Sequence, residues 1–396
     1  MIVKLYGFNY MIKNVILKRA IKIVTSPILS FINKIFPKND RIILLYSANK
    51  GIAFCNITLR KFLIENGYEK KYKIYCGIEK MKYAEDIPQV TFISGIKSIF
   101  VFWRAGHVFY SAGQIPIKPS KDQCVIHMQH GNADIKRMGN ISHIGNGDEF
   151  FFTYMIVPSD FYVKIDADAY CCNESNIAVA GDPMCDELLT APRNLYDFSK
   201  YDKMLLWVPT FRQSEEMGYN DSNMETLVPM FKEEEYGELN DRLTEYNIHL
   251  IVKLHPVQKA PKGTRRHFSH LSVYSHQEFS DTKYDMYTLM AQSDGLIGDY
   301  SSASMQYLLL DRPMAFVVPD IEDYGRTRGF VFEHPEDYMG GHIIKTKEQF
   351  YAFLDDFATG KDVYCEKRHW VCSQIYKYHD ANSCKRIVEL SGMTLD

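Results

Sequence analysis

Two of the thirteen histidines in this 396-residue chain stand directly after short apolar runs, where a proton carrier could act at a strand end. His130 follows the run CVIHMQ and precedes Gly131 and Asn132, and His255 follows the run HLIVKL. An imidazole titrates near neutral pH and can accept or donate a proton there. We therefore predict that both histidines are catalytic and that Gly131 and Asn132 contact substrate. His127, inside the first run, is predicted to be a core residue.

Hydroxyl and guanidinium groups at two further apolar-run ends could hold phosphate oxygens. Thr210 and Arg212 lie in the segment VPTFR, and arginine is the usual side chain for gripping phosphate. Ser301 and Ser302 follow Asp299 in GDYSS and open a predicted helix, whose N-terminus attracts anions. A serine that only caps a helix would give the same pattern. The sequence leaves a pyrophosphate-binding site and an ordinary helix cap both open here.

Charged residues elsewhere extend this set of candidate ligand-binding groups. Arg326 and Arg328 add basic groups to a loop predicted between residues 320 and 329 and are candidate phosphate-binding residues. Asp186 ends the segment GDPMCD, a predicted turn into a helix, and is a candidate substrate contact, although ordinary turn chemistry explains the segment equally well. The sequence shows no cysteine and histidine block at zinc spacing, so no metal and no other cofactor is predicted.

The apolar runs that carry these residues alternate with helical patterns, which is typical of α/β domains with mostly parallel sheets. Strands are predicted at residues 41–48, 72–78, 89–94, 106–111, 123–129, 153–157 and 177–180, and then at 203–209, 249–254, 295–298 and 314–318. Helices are predicted at residues 56–66, 224–232, 239–246, 284–292 and 302–310.

A polar stretch at residues 190–203 is the best candidate for a linker between two halves of similar size. We predict two doubly wound, Rossmann-like domains, at residues 39–190 and 203–346, that face a central cleft. Residues 347–396 are predicted to form a helical tail.

Composition and charge narrow the function classes. The chain is 46% hydrophobic and 24% charged, which indicates a globular protein rather than a disordered one. It carries 46 basic and 49 acidic residues, so the chain has no overall positive charge that would attract nucleic acid. Nucleic acid is therefore not predicted as a partner. Nine scattered cysteines favour a reducing, cytoplasmic compartment.

Residues 1–38 form an apolar segment that basic side chains interrupt. No uninterrupted run approaches the roughly 20 residues that a membrane-spanning helix needs. On a helical wheel one side carries Ile12, Ile16, Ala20, Ile21, Ile23 and Val24, and the other carries Lys18, Arg19 and Lys22. We predict an amphipathic helix that lies on an anionic membrane surface. A helix packed on its own domain or on a partner would show the same pattern.

Taken in order, these segments resemble the CDP-glycerol glycerophosphotransferase family, which builds teichoic acids and related capsule polymers. The family pattern runs HGT, GxPRxD, PTWR, LHP, TDYSS, KP and DxxxYxxxRG, and this chain has HGN, GDPMCD, PTFR, LHP, GDYSS, RP and DIEDYGRTRG in the same order. The resemblance covers about residues 125–335. Asn132 replaces the family's threonine and Met184 its arginine. CDP-glycerol, CDP-ribitol and other nucleotide-activated polyols therefore stay open as donors.

The resemblance implies a GT-B-like pair of domains that transfers a polyol phosphate from a CDP-activated donor, with release of CMP. The acceptor would be a hydroxyl of a lipid-linked or polymeric glycan at the cytoplasmic face of a bacterial membrane, and no metal would be needed. The family's histidines correspond to His130 and His255, and its pyrophosphate contacts to Ser301, Ser302 and Arg328, with Asp299 in support. A nucleotide-sugar transferase of the same fold and a non-catalytic scaffold are the alternatives, and a homo-oligomer stays open.

Overall fold

The computed structural model describes residues 15–143, 149–214, 220–224, 226–258 and 266–395, with side chains given from residue 23 onward in the first helix. The predicted wheel positions before residue 23, from Ile12 to Lys22, therefore lie outside the described side chains. In this part of the chain no helix is long and apolar enough to cross a membrane.

Fourteen strands form two sheets of seven within the described residues. The strands are β1 (Asn39–Tyr46), β2 (Lys73–Ile78), β3 (Val90–Ser94), β4 (Ala105–Tyr110), β5 (Cys124–His127), β6 (Tyr154–Val157), β7 (Ile177–Val179), β8 (Lys203–Trp207), β9 (Ile248–Lys253), β10 (Arg266–His267), β11 (Leu271–Tyr274), β12 (Gly295–Gly298), β13 (Met314–Val317) and β14 (His342–Ile344).

Thirteen α-helices connect and flank these strands in the described residues. They are α1 (Val15–Ile35), α2 (Cys55–Glu65), α3 (Gly95–Phe102), α4 (Val163–Tyr170), α5 (Pro183–Thr190), α6 (Tyr236–Glu245), α7 (His276–Ser280), α8 (Met286–Gln292), α9 (Ser302–Tyr307), α10 (Ile321–Thr327), α11 (Lys347–Thr359), α12 (Cys365–Ile375) and α13 (Ser383–Leu390).

Both sheets have the winding of a nucleotide-binding α/β fold. The first has the order β3-β2-β1-β4-β5-β6-β7, and every adjacent pair is parallel. The second has the order β10-β11-β9-β8-β12-β13-β14, and among the described strands β10 alone runs antiparallel to its neighbour. The winding reverses between β1 and β4 and again between β8 and β12, which are the topological switch points where such sheets bind ligands. The predicted pair of Rossmann-like domains is confirmed.

Contacts along the chain divide it into two compact units. Unit 1 comprises Met1–Asn132, Asp148–Asp186 and Asp380–Asp396, and unit 2 comprises Ala133–Gly147 and Glu187–His379. Each unit therefore contains one sheet, and each is built from more than one stretch of chain.

This division differs from the sequence-based one at the predicted tail of residues 347–396. Helix α11 buries four apolar side chains in the core beneath the second sheet, namely Phe350, Phe353, Leu354 and Phe357. Helix α13 instead adds Ile387 and Val388 to the core of the first sheet. The tail is divided because each helix has an apolar face that only burial against a sheet can satisfy.

The predicted helix at residues 224–232 is wrong, because Val228 and Phe231 in that stretch form an isolated antiparallel bridge on either side of Pro229. Strands β10, β11 and β14 were not predicted. Helix α10 occupies the stretch that the sequence analysis treats as a loop, because its many charged residues hide the short helical repeat.

Candidate active site

A closed hydrogen-bond network joins the carboxyl ends of β8 and β12 at the switch point of unit 2. The backbone N–H of Thr210 donates to Asp299 Oδ2 at 2.8 Å, and the Thr210 hydroxyl donates to Asp299 Oδ1. Arg212 Nη1 donates to the same Asp299 carboxylate at 2.8 Å, while its Nε donates to Asp320 Oδ2 at 2.7 Å. Three predicted site residues are thus brought together with Asp320, which the sequence analysis did not single out.

The Arg212 guanidinium is almost completely buried, with 2% of its side chain exposed. Burial alone would lower its pKa, but the carboxylates of Asp299 and Asp320 outweigh that effect and raise it. A buried cation between two anions is satisfied within the protein and has little surface left for a ligand. The geometry therefore does not support direct phosphate binding by Thr210 and Arg212, and gives both a positioning role.

Two tyrosines extend this network toward the helix that carries the predicted serines. The rings of Tyr300 and Tyr324 stack with their centroids 4.0 Å apart, and the Arg212 guanidinium lies 5.2 Å from the Tyr300 centroid. The Tyr300 hydroxyl donates to Asp320 Oδ1 at 3.0 Å. Tyr300 is therefore held by contacts to its ring face and by a hydrogen bond from its hydroxyl. The residue directly before Ser301 is thereby held rigidly in place.

Ser301 and Ser302 have different environments although they are neighbours. Ser301 is the N-cap of α9, and its hydroxyl accepts from the backbone N–H of Ser304 at 3.4 Å. Ser302 is half-buried, and its hydroxyl makes no hydrogen bond to any residue that the structure describes. The helix-cap interpretation applies to Ser301, whereas Ser302 keeps a hydroxyl available for a ligand.

Arg328 lies among buried carboxylates. Its Nη2 reaches Met138 Sδ at 3.5 Å, and both it and Lys136 interact electrostatically with Asp134 and Asp221. Burial raises the pKa of Asp134 and of Asp221, and the two nearby cations only partly oppose that shift. Arg328 and Lys136 therefore lie beside two carboxyl groups whose negative charge is weakened, because burial raises the pKa of each.

Arg326, two residues earlier and on α10, is 74% exposed at its side chain and forms a loose pair with Asp323 at 3.6 Å. It can therefore move toward a ligand without loss of a buried contact.

A short segment between the histidine motif of β5 and the rest of unit 1 belongs to unit 2. Residues 133–147 include Ile135, whose carbonyl accepts from Val331 N–H at 2.8 Å, and Arg137, whose N–H donates to Gly329 O at 3.0 Å. The loop that carries Arg328 is thus paired with the chain that directly follows Asn132. The sequence holds no signal for this pairing, because it joins stretches almost two hundred residues apart.

His255 follows β9, the strand next to β8. Its Nδ1 accepts from the backbone N–H of Val257 at 3.3 Å, and its ring lies 5.2 Å from that of Phe211. In the neutral imidazole this hydrogen bond assigns the proton to Nε2, which can then donate to an oxyanion. Lys253 ends the same strand, and burial lowers its pKa to about 8, which makes it a titratable group that the sequence analysis passed over.

In unit 1, His130 is exposed and lies beyond the end of β5. Gln129 and Gly131 on either side have φ angles of 62° and 115°, and the imidazole lies 5.5 Å from the ring of Phe54. Asn132 is buried, donates from Nδ2 to Gly181 O at 3.0 Å, and has an Oδ1 without a partner in the described residues. The tight turn therefore projects His130 outward and turns Asn132 inward.

His127 is a core residue, as predicted. Its Nδ1 accepts from Gln129 N–H at 3.2 Å, and burial, with a smaller contribution from His130, lowers its pKa to about 3. The ring is therefore neutral across the physiological range and serves as a fixed hydrogen-bond acceptor beneath the His130 turn.

The Asp186 carboxylate is buried and hydrogen-bonded within unit 1. It accepts from the backbone N–H groups of Ser383 and Cys384 at 2.9 and 2.8 Å, where α13 begins. It therefore caps that helix, a role that differs from the ordinary turn chemistry that the sequence analysis kept open. The predicted substrate contact at Asp186 is not supported, because the side chain is buried and used.

A cavity of about 430 Å³ lies elsewhere in unit 2, lined mainly by residues 193–204 with Gln292 and Asp294. These residues flank the amino ends of β8 and β12, whereas ligands of doubly wound sheets bind at the carboxyl ends. The polar cluster at the switch point is therefore the better candidate site.

Comparison with known proteins agrees with the family resemblance. The sequence model of the family CDP-Glycerol:Poly(glycerophosphate) glycerophosphotransferase matches residues 28–390. The teichoic acid ribitol-phosphate primase of Bacillus spizizenii is 29% identical over 301 residues, which is 72% of this chain and 67% of that protein. The teichoic acid glycerol-phosphate primase of the same species is 30% identical over 195 residues, 48% of this chain and 46% of that protein.

The structure of the wall teichoic acid polymerase TagF superposes with a TM-score of 0.70 at 18% identity, covering 90% of this chain and 89% of that one. At this identity the likeness is one of fold. The chain spans between 39% and 67% of the lengths of three curated ribitol-phosphate enzymes that it matches.

Proposed function

Because this chain belongs to the CDP-glycerol:poly(glycerophosphate) glycerophosphotransferase family, we propose that it transfers a polyol phosphate from a CDP-linked donor to a glycan hydroxyl. The acceptor is a lipid-linked or polymeric cell-surface glycan at the cytoplasmic face of the membrane, and CMP is released. The observation that carries this proposal is the network of Thr210, Arg212 and Asp299 at the switch point of unit 2, built from the family's own motif residues.

In the proposed reaction, the acceptor oxygen attacks the β-phosphorus of the donor and the bond from that phosphorus to CMP breaks. The acceptor proton passes to His130, which is exposed at the end of β5. The departing CMP keeps the bonding electrons as phosphate charge. Such a transfer depends on positioning and on charge stabilisation rather than on a covalent enzyme intermediate.

Unit 2 supplies the groups that hold the donor. His255 Nε2 donates to a phosphate oxygen, because its Nδ1 is occupied by Val257 N–H. The hydroxyl of Ser302 and the guanidinium groups of Arg326 and Arg328 bind the pyrophosphate. The buried pair of Arg212 and Asp299 fixes the loop on which Ser302 lies, since Tyr300 is packed against it.

The test is release of CMP by the purified protein, with CDP-glycerol, CDP-ribitol and a panel of nucleotide sugars supplied together with an acceptor glycan. We expect CMP from at least one CDP-polyol, matched by a mass increase of one polyol phosphate on the acceptor. Turnover with a nucleotide sugar alone would favour the glycosyltransferase alternative. No turnover with any donor, from protein that binds CDP, would favour the scaffold alternative.

Helix α1 supports a further element of this proposal, which is attachment to an anionic membrane surface. Its buried side faces unit 1 with Leu29, Ser30 and Asn33, whereas an apolar stripe faces outward. The stripe consists of Val24, Ile28, Phe31 and Ile35, which are 65%, 43%, 66% and 65% exposed. Their spacing of four, three and four residues places them on one helical face. An apolar face directed into solvent is costly and is typical of an interfacial helix.

Aromatic residues continue from the end of α1 to α3, where Phe36 follows α1, Phe100 lies on α3 and the buried Trp103 follows α3. Phe36 stacks on Trp103 with centroids 5.6 Å apart, and Phe100, itself 47% exposed, meets Trp103 edge-on at 5.4 Å. Aromatic rings of this kind are favoured at the boundary between lipid and water.

Sedimentation with anionic vesicles tests the attachment. Because Leu29 and Asn33 are part of the unit 1 interior, deletion of residues 1–38 would disturb the fold, and the double variant Ile28→Glu/Phe31→Glu is the cleaner test. We expect it to lose vesicle binding while its unfolding temperature is retained, and Val363→Glu, at another exposed apolar position, to bind normally. Wild-type protein that stays in solution at low salt would contradict the attachment, and a stripe that instead joins two copies would appear as a dimer by light scattering.

A further inference from the structure

One cluster of metal-ligand side chains lies away from the candidate active site. Across the residues that the structure describes, Asp311, Cys365 and His369 form the one group whose carboxylate oxygen, thiol sulfur and ring nitrogen all lie within 4.8 Å of each other. Cys365 and His369 are four residues apart on α12, so they share one helical face. Asp311 precedes β13, at the amino end of the second sheet.

We propose that Asp311, Cys365 and His369 bind a zinc ion, with water in the fourth position. A thiolate, an imidazole and a carboxylate together select zinc over harder cations such as magnesium or calcium. This site is separate from the transfer chemistry proposed above and does not depend on it.

The distances between the ligand atoms support the proposal. Ligand bonds of the usual zinc lengths, arranged as a tetrahedron, place neighbouring ligand atoms about 3.4–3.6 Å apart. In this structure Cys365 Sγ lies 3.7 Å from His369 Nε2, and His369 Nε2 lies 2.8 Å from Asp311 Oδ2. A zinc ion that replaces the hydrogen bond between His369 and Asp311 therefore needs those two ligand atoms to separate by about half an ångström, while the Cys365 sulfur and the Asp311 oxygen already lie within 4.8 Å of each other. The side chains of Asp311 and His369 can make this adjustment because both are about half exposed.

The residues around the cluster orient its carboxylate. Buried Arg368 donates from Nε to Asp311 Oδ1 at 2.8 Å and pairs through Nη2 with Asp362 at 2.7 Å. One oxygen of Asp311 is thereby held by the arginine while the other points to His369. A hydrogen bond to the second oxygen of a ligating carboxylate is the usual outer-sphere support of a metal site. Asp362 offsets the charge of Arg368, so the cluster does not repel a cation.

The backbone at Asp311 is also arranged for this role. Its φ angle is +50°, a left-handed conformation that an aspartate adopts more readily than most residues. That conformation ends the helical turn at Leu308–Leu310, which continues directly from α9. A zinc ion at this point would therefore fasten α12 to the far end of the helix that begins at Ser302.

Cobalt substitution provides the test, with the full-length protein kept reduced by a phosphine. A tetrahedral Co²⁺ site with a thiolate ligand gives intense visible bands and a near-ultraviolet sulfur-to-cobalt charge-transfer band. We expect both in the wild-type protein and in Cys171→Ser, which alters an exposed cysteine of unit 1. We expect Cys365→Ser to lose the charge-transfer band, and Asp311→Asn and His369→Ala each to raise the Kd for Zn²⁺ by about 10-fold or more.

Thermal unfolding gives a second readout that does not use cobalt. Zn²⁺ at about a hundred times its Kd should raise the midpoint for wild-type protein and for Cys171→Ser but leave Cys365→Ser unchanged. A wild-type spectrum without a charge-transfer band, or a band that survives in Cys365→Ser, would overturn the proposal. Because neither readout involves turnover, failure of this site and failure of the proposed transferase activity are distinguishable.

Discussion

The two units have the same strand order around their switch points but fill those points with different chemistry. In unit 1, the hydroxyls of Ser47 and Ser111 after β1 and β4 lie 3.0 Å apart, and Asn56 donates to Ser47 at 3.1 Å. All three are neutral and buried. In unit 2, the equivalent strand ends carry Arg212 between two carboxylates.

This difference shows how one fold can be specialised twice. A neutral pair of serines closes a switch point and leaves no charge for a phosphate ligand. A buried ion network costs desolvation energy, which a protein tolerates where rigid positioning is useful. In unit 1 the exposed His130 follows β5, which is the direct neighbour of β4 and lies just outside the switch point between β1 and β4. We therefore expect donor binding to depend on unit 2 and acceptor activation on unit 1.

Removal of either catalytic histidine should have the largest effect on activity. His130→Ala and His255→Ala should each lower kcat by about two to four orders of magnitude, since each loses a proton carrier or an oxyanion donor. The KM for the donor distinguishes the two variants, because only His255→Ala should also weaken donor binding. Circular dichroism checks that both variants fold. Near-normal turnover in both would remove the proposed mechanism.

The second test separates structural from ligand-binding arginines. Arg212→Met leaves Asp299 and Asp320 buried without their partner and should lower the free energy of unfolding by about 3–5 kcal/mol. Arg326→Met is the matched control, because an exposed pair contributes at most about 1 kcal/mol. Urea unfolding measures both. Equal stabilities for the two variants would contradict the supporting role of Arg212, and a raised donor KM in Arg326→Met would support its contact with the ligand.

The third test concerns the buried histidines of the two units. The pKa of His127 is about 3 in the folded protein, against about 6.5 for an unperturbed histidine, so the unfolded chain binds the proton first. The free energy of unfolding should therefore fall by up to about 1.4 kcal/mol per pH unit as pH decreases from about 6.5 toward 3.

His127→Asn keeps an acceptor near Gln129 N–H and should remove that part of the slope, measured by urea unfolding at several pH values. In unit 2, burial lowers the pKa of His249 to about 4, so His249→Asn should flatten a narrower range of pH. Unchanged slopes in both variants would show that other groups control the acid sensitivity.

The smallest effects are expected at the paired serines of α9. Ser301→Ala removes a helix cap and should cost about 1 kcal/mol of stability. Ser302→Ala breaks no hydrogen bond in the described residues, so stability should change by less than about 0.5 kcal/mol while donor KM rises several-fold. A reversed pattern would exchange the roles of the two residues.

Most strands could be predicted from the sequence, but β10, β11, β14 and the long-range contacts of the candidate site could not. Residues 42–45 of β1 and the whole of β12 are apolar and largely buried, which makes these strands visible by composition alone. The pairing of Arg212 with Asp320 spans 108 residues and depends on the strand order, which no local pattern encodes. The role of Ser301 as a helix cap was among the alternatives, whereas the capping of α13 by Asp186 was not, and in both cases only the hydrogen bonds distinguish a cap from a ligand contact.

The discontinuity of unit 1 has a consequence for the order in which the protein assembles during its synthesis. Its core includes Ile387 and Val388 of α13, which leave the ribosome after the whole of unit 2. The sheet that is translated first therefore completes its interior last, and until then the surface beneath α2 that α13 will cover stays exposed. A growing chain of this kind relies on chaperones or on rapid completion, and stalled synthesis near residue 380 would leave an aggregation-prone species rather than a finished first domain.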